Sequence, residues 1–188
     1  TKNGNGETMK NKNAEINNEN IQLALDLITR DTQVKPKARV KVGNEIINAK
    51  YDLKNKQIKL WFAIISQIKE EDENFCVYRF RARDLAKAIG ISLDKGYIAE
   101  LRTYLNQLRK KDITVQTRFD ENEEKEKWID ASFISSVEAT GDGFMEISID
   151  RKLHKYFFEL KQQFTKIGIQ EILTFHSAYT SRIYGFIK

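Results

Sequence analysis

The sequence predicts an α+β domain, and three observations predict it. Apolar residues recur at intervals of three and four between Asp52 and Lys110, which is the helical period. After Lys111 they recur at intervals of two, the period of a half-buried strand. Acidic and glycine-containing stretches separate these segments where the chain has to turn.

Composition sets the outer bounds. At 188 residues, with 40% hydrophobic and 31% charged residues, the chain is long enough for one full domain and a tail. A formal charge of +5 and a sequence pI of about 9.1 favour a polyanionic partner without naming one. Cys76 is the single cysteine, so no internal disulfide is expected. The longest strongly apolar run, residues 60–65, is too short to cross a bilayer, and residues 1–20 hold no apolar stretch of the secretory kind. The expectation is a reduced, cytoplasmic protein with no membrane partner.

The elements follow in order. Residues 1–20 are dominated by Asn, Lys, Gly and Glu and offer too little apolar surface to offset the entropy of ordering them. A short helical pattern at Ile21, Leu25 and Ile28 comes next. Pro36, inside the basic run Lys35, Lys37, Arg39 and Lys41, then predicts an extended linker to residue 42, with the folded domain spanning 43–188. Ile58, Trp61, Phe62, Ile65 and Ile68 give the first long helix one wide apolar stripe, and the acids of residues 70–73 end it. Residues 75–80 read as a short strand, and residues 82–89 as a second helix closed by Gly90. After a turn through Lys95, a third helix runs to about Lys110 with Ile98, Leu101, Leu105 and Leu108 facing inward.

Ile113, Val115, Thr117 and Phe119 share one face of the next strand. Residues 120–127 carry five acids against two lysines, a solvated hairpin tip. A second strand places Ile129, Ala131, Phe133 and Val137 on a common face, and Gly141, Asp142 and Gly143 turn the chain into a third over 144–149. Asp150 is the N-cap expected for a helix whose stripe is Leu153, Tyr156, Phe157, Leu160 and Phe164. A last amphipathic segment carries Ile172, Leu173, Phe175, Tyr179, Ile183 and Phe186, read as core.

Helix, strand, helix, turn, helix and antiparallel hairpin is the order of a winged helix-turn-helix, here with a three-stranded antiparallel wing and additional C-terminal helices. A third helix of this kind is narrow enough to enter a DNA major groove. From Lys95 to Arg118 the sequence holds six cations, Lys95, Arg102, Arg109, Lys110, Lys111 and Arg118, against the acids Glu100 and Asp112. These are the first DNA-binding candidates. Arg79, Arg81 and Arg83 form a second group, in which Arg79 and Arg81 share one face of a strand and could clamp a phosphate. Plain solvation of the helix surface accounts for the same cations, so pattern alone leaves both open. Trp128, Ile134 and Phe144 fall off the face that covers the helices; an exposed apolar patch there fits a dimer interface, or a surface covered by another part of the chain.

Two stretches carry a family resemblance. NEIINAKYDL at residues 44–53, leading into QIKLWF at 57–62, resembles the opening motif and first long helix of the iteron-binding plasmid replication initiators. The far end is similar too: FMEISI at 144–149, then Leu153, Tyr156, Leu160, Phe164 and Thr165, and the closing SAYTSRIY at 177–184 with its arginine-hydrophobic-tyrosine ending. The resemblance covers residues 44–188. It implies two winged-helix domains in tandem, binding directly repeated origin sites as monomers and repressing their own promoter as dimers. The chain ends at Lys188, where the family's second winged helix would begin, so it corresponds to the first domain, which in the family adds DNA contacts and carries the dimer interface. The expected partners are double-stranded DNA of origin repeats, a second copy of the chain, and host replication proteins. A winged-helix transcription regulator, or a dimerisation module without DNA binding of its own, is the alternative that the fold order alone allows.

No catalytic residue, cofactor or metal is expected. His154 and His176 lack a cysteine or second histidine at ligand spacing, and no glycine-rich phosphate loop is present. Cys76 has no neighbouring base in its pattern and reads as a small buried hydrophobe.

Overall fold

The computed structural model describes residues 29–35, 37–69, 71–117, 127–160 and 164–188. The expected tail and helix of residues 1–28, together with Pro36, Arg118, Phe119 and the acidic loop 120–126, lie outside them. The described elements are β1 (Thr29–Thr32), β2 (Arg39–Gly43), α1 (Asn44–Asn48), α2 (Asn55–Ile65), β3 (Val77–Arg81), α3 (Ala82–Ala88), α4 (Tyr97–Arg109), β4 (Asp112–Thr117), β5 (Lys127–Ser132), β6 (Ile134–Ala139), β7 (Phe144–Ile149), a 3-10 turn (Arg151–Leu153), α5 (Lys155–Phe158), β8 (Phe164–Gly168), α6 (Ile169–Thr174) and α7 (Ala178–Phe186).

The centre of the molecule is α2. Its run NKQIKLWFAII is apolar on more than one stripe, and from Gln57 to Ile65 every residue is buried. The start is fixed by Gln57, whose Oε1 accepts the Lys54 amide at 2.8 Å. Helices α3, α4, α6 and α7 all pack on it. Trp61 meets Phe133 edge-on at 5.1 Å between centroids and Phe157 at 6.0 Å, so the indole ties the helix to both later segments.

Helices α3 and α4 form the helix-turn-helix. Gly90 (φ +74°) ends α3 and Gly96 (φ +108°) precedes α4, both in left-handed backbone that a side chain would strain. Buried Ile91 pins the turn between them. The long apolar spacing expected of α4 holds for Leu101, Leu105 and Leu108 but not for Ile98, which is 43% exposed. Ile98 lies three residues before Leu101, on the side where no further element covers the helix.

Among the described residues the wing is two-stranded. β4 and β5 pair antiparallel from Asp112↔Ser132 to Thr117↔Lys127, while the strand expected to complete a three-stranded wing pairs elsewhere. The strand expected to run on through Val137 breaks at Phe133: the side chains of both Phe133 and Ile134 are fully buried, which strict alternation forbids. β6 thereby enters a four-stranded sheet of order β1-β3-β7-β6. Asp150 holds this junction, accepting the Ser132 amide at 3.0 Å and capping the next turn through the Lys152 amide at 2.9 Å.

Other expectations change with tertiary pairing. The basic run expected as an extended linker turns instead, the Ala38 amide bonding the Lys35 carbonyl at 2.9 Å, and residues 39–43 form β2, paired antiparallel with β8. For the same reason Phe164 starts a strand rather than closing a long helix, and α5 stops at Phe158. The last stripe divides: Ile172 is fully buried with Leu173 and Phe175 packed on the core, whereas in α7 Tyr179 (73% exposed) and Phe186 (54%) face outward with Ile183 and are surface.

β1 joins the sheet as a parallel edge strand beside β3. Arg30 fastens it by a bidentate pair with Asp72, both bonds 2.7 Å, and by a further bond to the Gln67 carbonyl at 3.2 Å. Burial pushes the Asp72 carboxyl up, but the Arg30 bonds and the Lys69 amide outweigh it and hold the group below the usual carboxylate range. A depressed carboxyl adds stability above its unfolded value near 4, and that share is lost as pH falls through the folded value. Asp72→Asn is therefore expected to lower stability at neutral pH by about 1.5–3 kcal/mol, with the gap to the parent narrowing below about pH 4. Urea unfolding across that range measures it, and a gap that stays constant into acid would remove the ion pair as its cause.

Candidate nucleic-acid interface

The three leucines of α4, spaced four and three apart, are fully buried against α2 and α3. The opposite arc of the helix then holds Ala99, Arg102, Thr103, Asn106, Arg109 and Lys110, all exposed except half-buried Asn106. Along this arc the small side chains Ala99 and Thr103 flank Arg102, and Arg109 and Lys110 close it. That mixture can approach base edges closely and reach phosphates from the same face.

Four of the expected cations stand free. Lys95, Arg102, Arg109 and Lys110 are exposed and make no ion pair with a described residue. Glu100, the acid on the same helix, is matched by Lys56 at 3.0 Å and subtracts little from their field. Lys111 differs: its ammonium meets Asp52 at 3.0 Å and holds that carboxyl below the usual range. Arg118 lies outside the described residues.

The second group divides. Arg79 and Arg81 do share a face, stacked over the Phe144 ring at 4.2 and 5.5 Å. Arg79, however, sits among three carboxylates, Asp31 at 3.3 Å, Glu146 at 3.6 Å and Asp142. A guanidinium so surrounded has little charge left for a phosphate. Arg81 and Arg83 are exposed and have no carboxylate partner among the described residues.

The expected dimer residues do not form one patch. Ile134 is buried in the four-stranded sheet, Phe144 is half-buried beneath the two arginines, and Trp128 alone is open, at 64%, in a different sheet. Trp128 lines a cavity of about 370 Å³ on the outer face of the wing with Asn48, Lys50, Thr114, Gln116 and Asp130. Lys50 and Asn48 were absent from the sequence-derived set because no periodicity marks them. The bridge that Lys50 makes to Thr114 brings both to the wing.

With this geometry in place, the family model for Initiator Replication protein, WH1, matches residues 39–188. The chain belongs to that family. The fold is also that of a solved relative: a crystal structure of the Pi initiator protein in complex with iteron DNA superposes with a TM-score of 0.51 at 20% sequence identity, covering 82% of this chain. The chain spans 64% of the length of that relative. No curated protein matches by sequence. The family match begins at Arg39, the first residue of β2, where strand pairing also places the start of that part of the domain.

No helix among the described residues is long and apolar enough to cross a membrane. Among them, too, no group of three or more His, Cys, Asp or Glu could hold a metal ion.

Because the side chains of Lys95, Arg102, Arg109 and Lys110 have no hydrogen-bond or ion-pair partner among the described residues, their removal should leave the fold intact. Arg102→Gln and Arg109→Gln are expected to unfold within about 0.5 kcal/mol of the parent in urea. A larger loss for either would show that the side chain supports the domain rather than projecting from it.

Proposed function

We propose that this initiator domain takes part in plasmid replication by binding the repeated duplex sites of an origin, with α4 in the major groove and the wing against the flanking backbone. One observation carries the reading. A helix fixed by three buried leucines turns Arg102, Arg109 and, at its C-cap, Lys110 outward with Ala99 and Thr103, and none of these cations has an ion-pair partner among the described residues. The Pi relative supports it, since that protein was solved with iteron DNA on the same fold. The chain acts by binding, in the cytoplasm, and no chemical step is assigned to it.

The test is filter binding of random and repeat-containing duplexes across a salt series. Affinity is expected to fall with salt at a log-log slope of about −0.9 per phosphate neutralised, and each of Arg102→Gln and Arg109→Gln should either flatten the slope by about 1 or cost about 1–3 kcal/mol on a preferred site. Absence of retention at low salt would reject the reading.

Self-association through the wing is the second part of the proposal, and Trp128 is the residue left to carry it. Sedimentation should then depend on concentration, and Trp128→Ser should shift the chain toward monomer. A parent that sediments as a monomer at every concentration would end this part while leaving the DNA reading in place.

A further inference from the structure

The closing SAYTSRIY segment forms most of α7, which lies away from α4, and the reading above gives it no task. Its arginine has an unusual set of partners. Arg182 donates through Nη1 to the Tyr51 carbonyl at 3.1 Å and through Nη2 to the Ala49 carbonyl at 3.0 Å, with its guanidinium stacked on the Tyr51 ring at 4.5 Å. Among the described residues no carboxylate meets it.

The segment it grips is irregular. Ala49 and residues 51–54 belong to no helix or strand, so these carbonyls have no ladder to satisfy them and would otherwise face water. On its other side the same segment holds the root of the wing at three points. The Lys50 amide donates to the Thr114 carbonyl and the Thr114 amide returns a bond to Lys50, both at 3.0 Å. Asp52 takes the Lys111 ammonium at the junction of α4 and β4. Tyr51 meets Phe133 edge-on at 5.5 Å, where β5 gives way to β6. Short irregular backbone is compliant by itself, so the bonds on its two sides set its position, and such a bond network can carry coupling between the elements that it joins.

We propose that Arg182 is a positioning residue for the wing: by bridging the carbonyls of Ala49 and Tyr51 it holds the strap that docks β4, and so couples α7 to the DNA-facing side. The planar fork is what the task requires. Two carbonyls flanking Lys50 are met by two nitrogens held in one rigid plane, whereas a lysine has to serve both from a single nitrogen on a flexible stem. The inference rests on the DNA-binding reading for its consequence, not for its geometry.

The experiment uses the whole 188-residue chain. Amide exchange at Lys50 and Thr114 is followed by NMR in the parent, Arg182→Gln, Arg182→Lys and Ile172→Val, the last a core truncation in α6 on which none of these bonds depends. Both arginine variants should exchange faster at the two amides by about tenfold, the scale of losing bonds from a charged donor, and Ile172→Val should not. Arg182→Lys should also bind a random-sequence duplex more weakly at low salt, although its charge is unchanged. Parent-like exchange in Arg182→Lys, or equal acceleration in Ile172→Val, would overturn the positioning role. Faster exchange with duplex affinity unchanged would overturn the coupling to DNA. A parent that retains no duplex would instead strike the proposed function, and the exchange rates would still decide whether Arg182 holds the wing.

Discussion

The burial of Leu101, Leu105 and Leu108 between α2 and α3 is the constraint on which the interface depends. A helix of 13 residues has one rotational setting that hides all three, and that setting leaves the arc from Ala99 to Lys110 facing solvent. Each leucine contributes about 1.5–3 kcal/mol by leaving water, so rotating the helix to bring a cation inward would forfeit several kcal/mol before counting the buried charge. The outward direction of Arg102 and Arg109 is thus a consequence of core packing, not of any partner. α2 supplies the other wall, and its burial on every side explains why four helices can converge on it without exposing apolar surface.

Charge at the surface is sorted by pairing rather than by number. Arg79, Lys111 and Lys56 are spent on Asp31, Asp52 and Glu100, and their net fields beyond a Debye length are small. Lys95, Arg102, Arg109 and Lys110 have no such partner among the described residues and keep their full attraction for a polyanion. The neutralised cations serve the fold instead. Arg79 gathers acids from β1, β7 and the preceding turn at the edge of the four-stranded sheet, and Lys111 anchors the root of the wing to the strap at Asp52.

Local signals were legible where one element decides its own structure. Leu101, Leu105 and Leu108 mark α4, the alternation of Ile113 and Val115 marks β4, and Asp150 caps the turn after β7 as its position predicts. The misread segments are those decided by a distant partner. Phe164 follows Leu160 at helical spacing, yet Gly43↔Phe164 pairing with β2 makes it a strand residue, and nothing within ten residues of either announces the other. Phe133 and Ile134 did carry a signal, because two adjacent buried residues break the parity of a strand, but alternation through Val137 masked it. Site residues divide the same way: exposure of the α4 cations follows from period, whereas the loss of Arg79 to three carboxylates depends on β1, β7 and the turn between strands meeting in space.

The four cations on and beside α4 that have no partner among the described residues set a scale for what this surface could do alone. Contacts to about four phosphates give binding that weakens steeply with salt and distinguishes sequences poorly, in the range of about 10⁻⁴–10⁻⁶ M typical of non-specific complexes at physiological salt. Discrimination has to come from side chains able to touch base edges, and here those are few and short: Ala99 and Thr103 suit a thymine methyl, while Arg102 suits the paired acceptors of a guanine. Each such contact adds about 1–3 kcal/mol of preference, so on the proposed reading a single α4 would distinguish only a few base pairs. A domain built this way gains specificity by repetition, through several adjacent sites or a second reading surface, rather than by strengthening one contact, because added cations would raise affinity for every sequence alike.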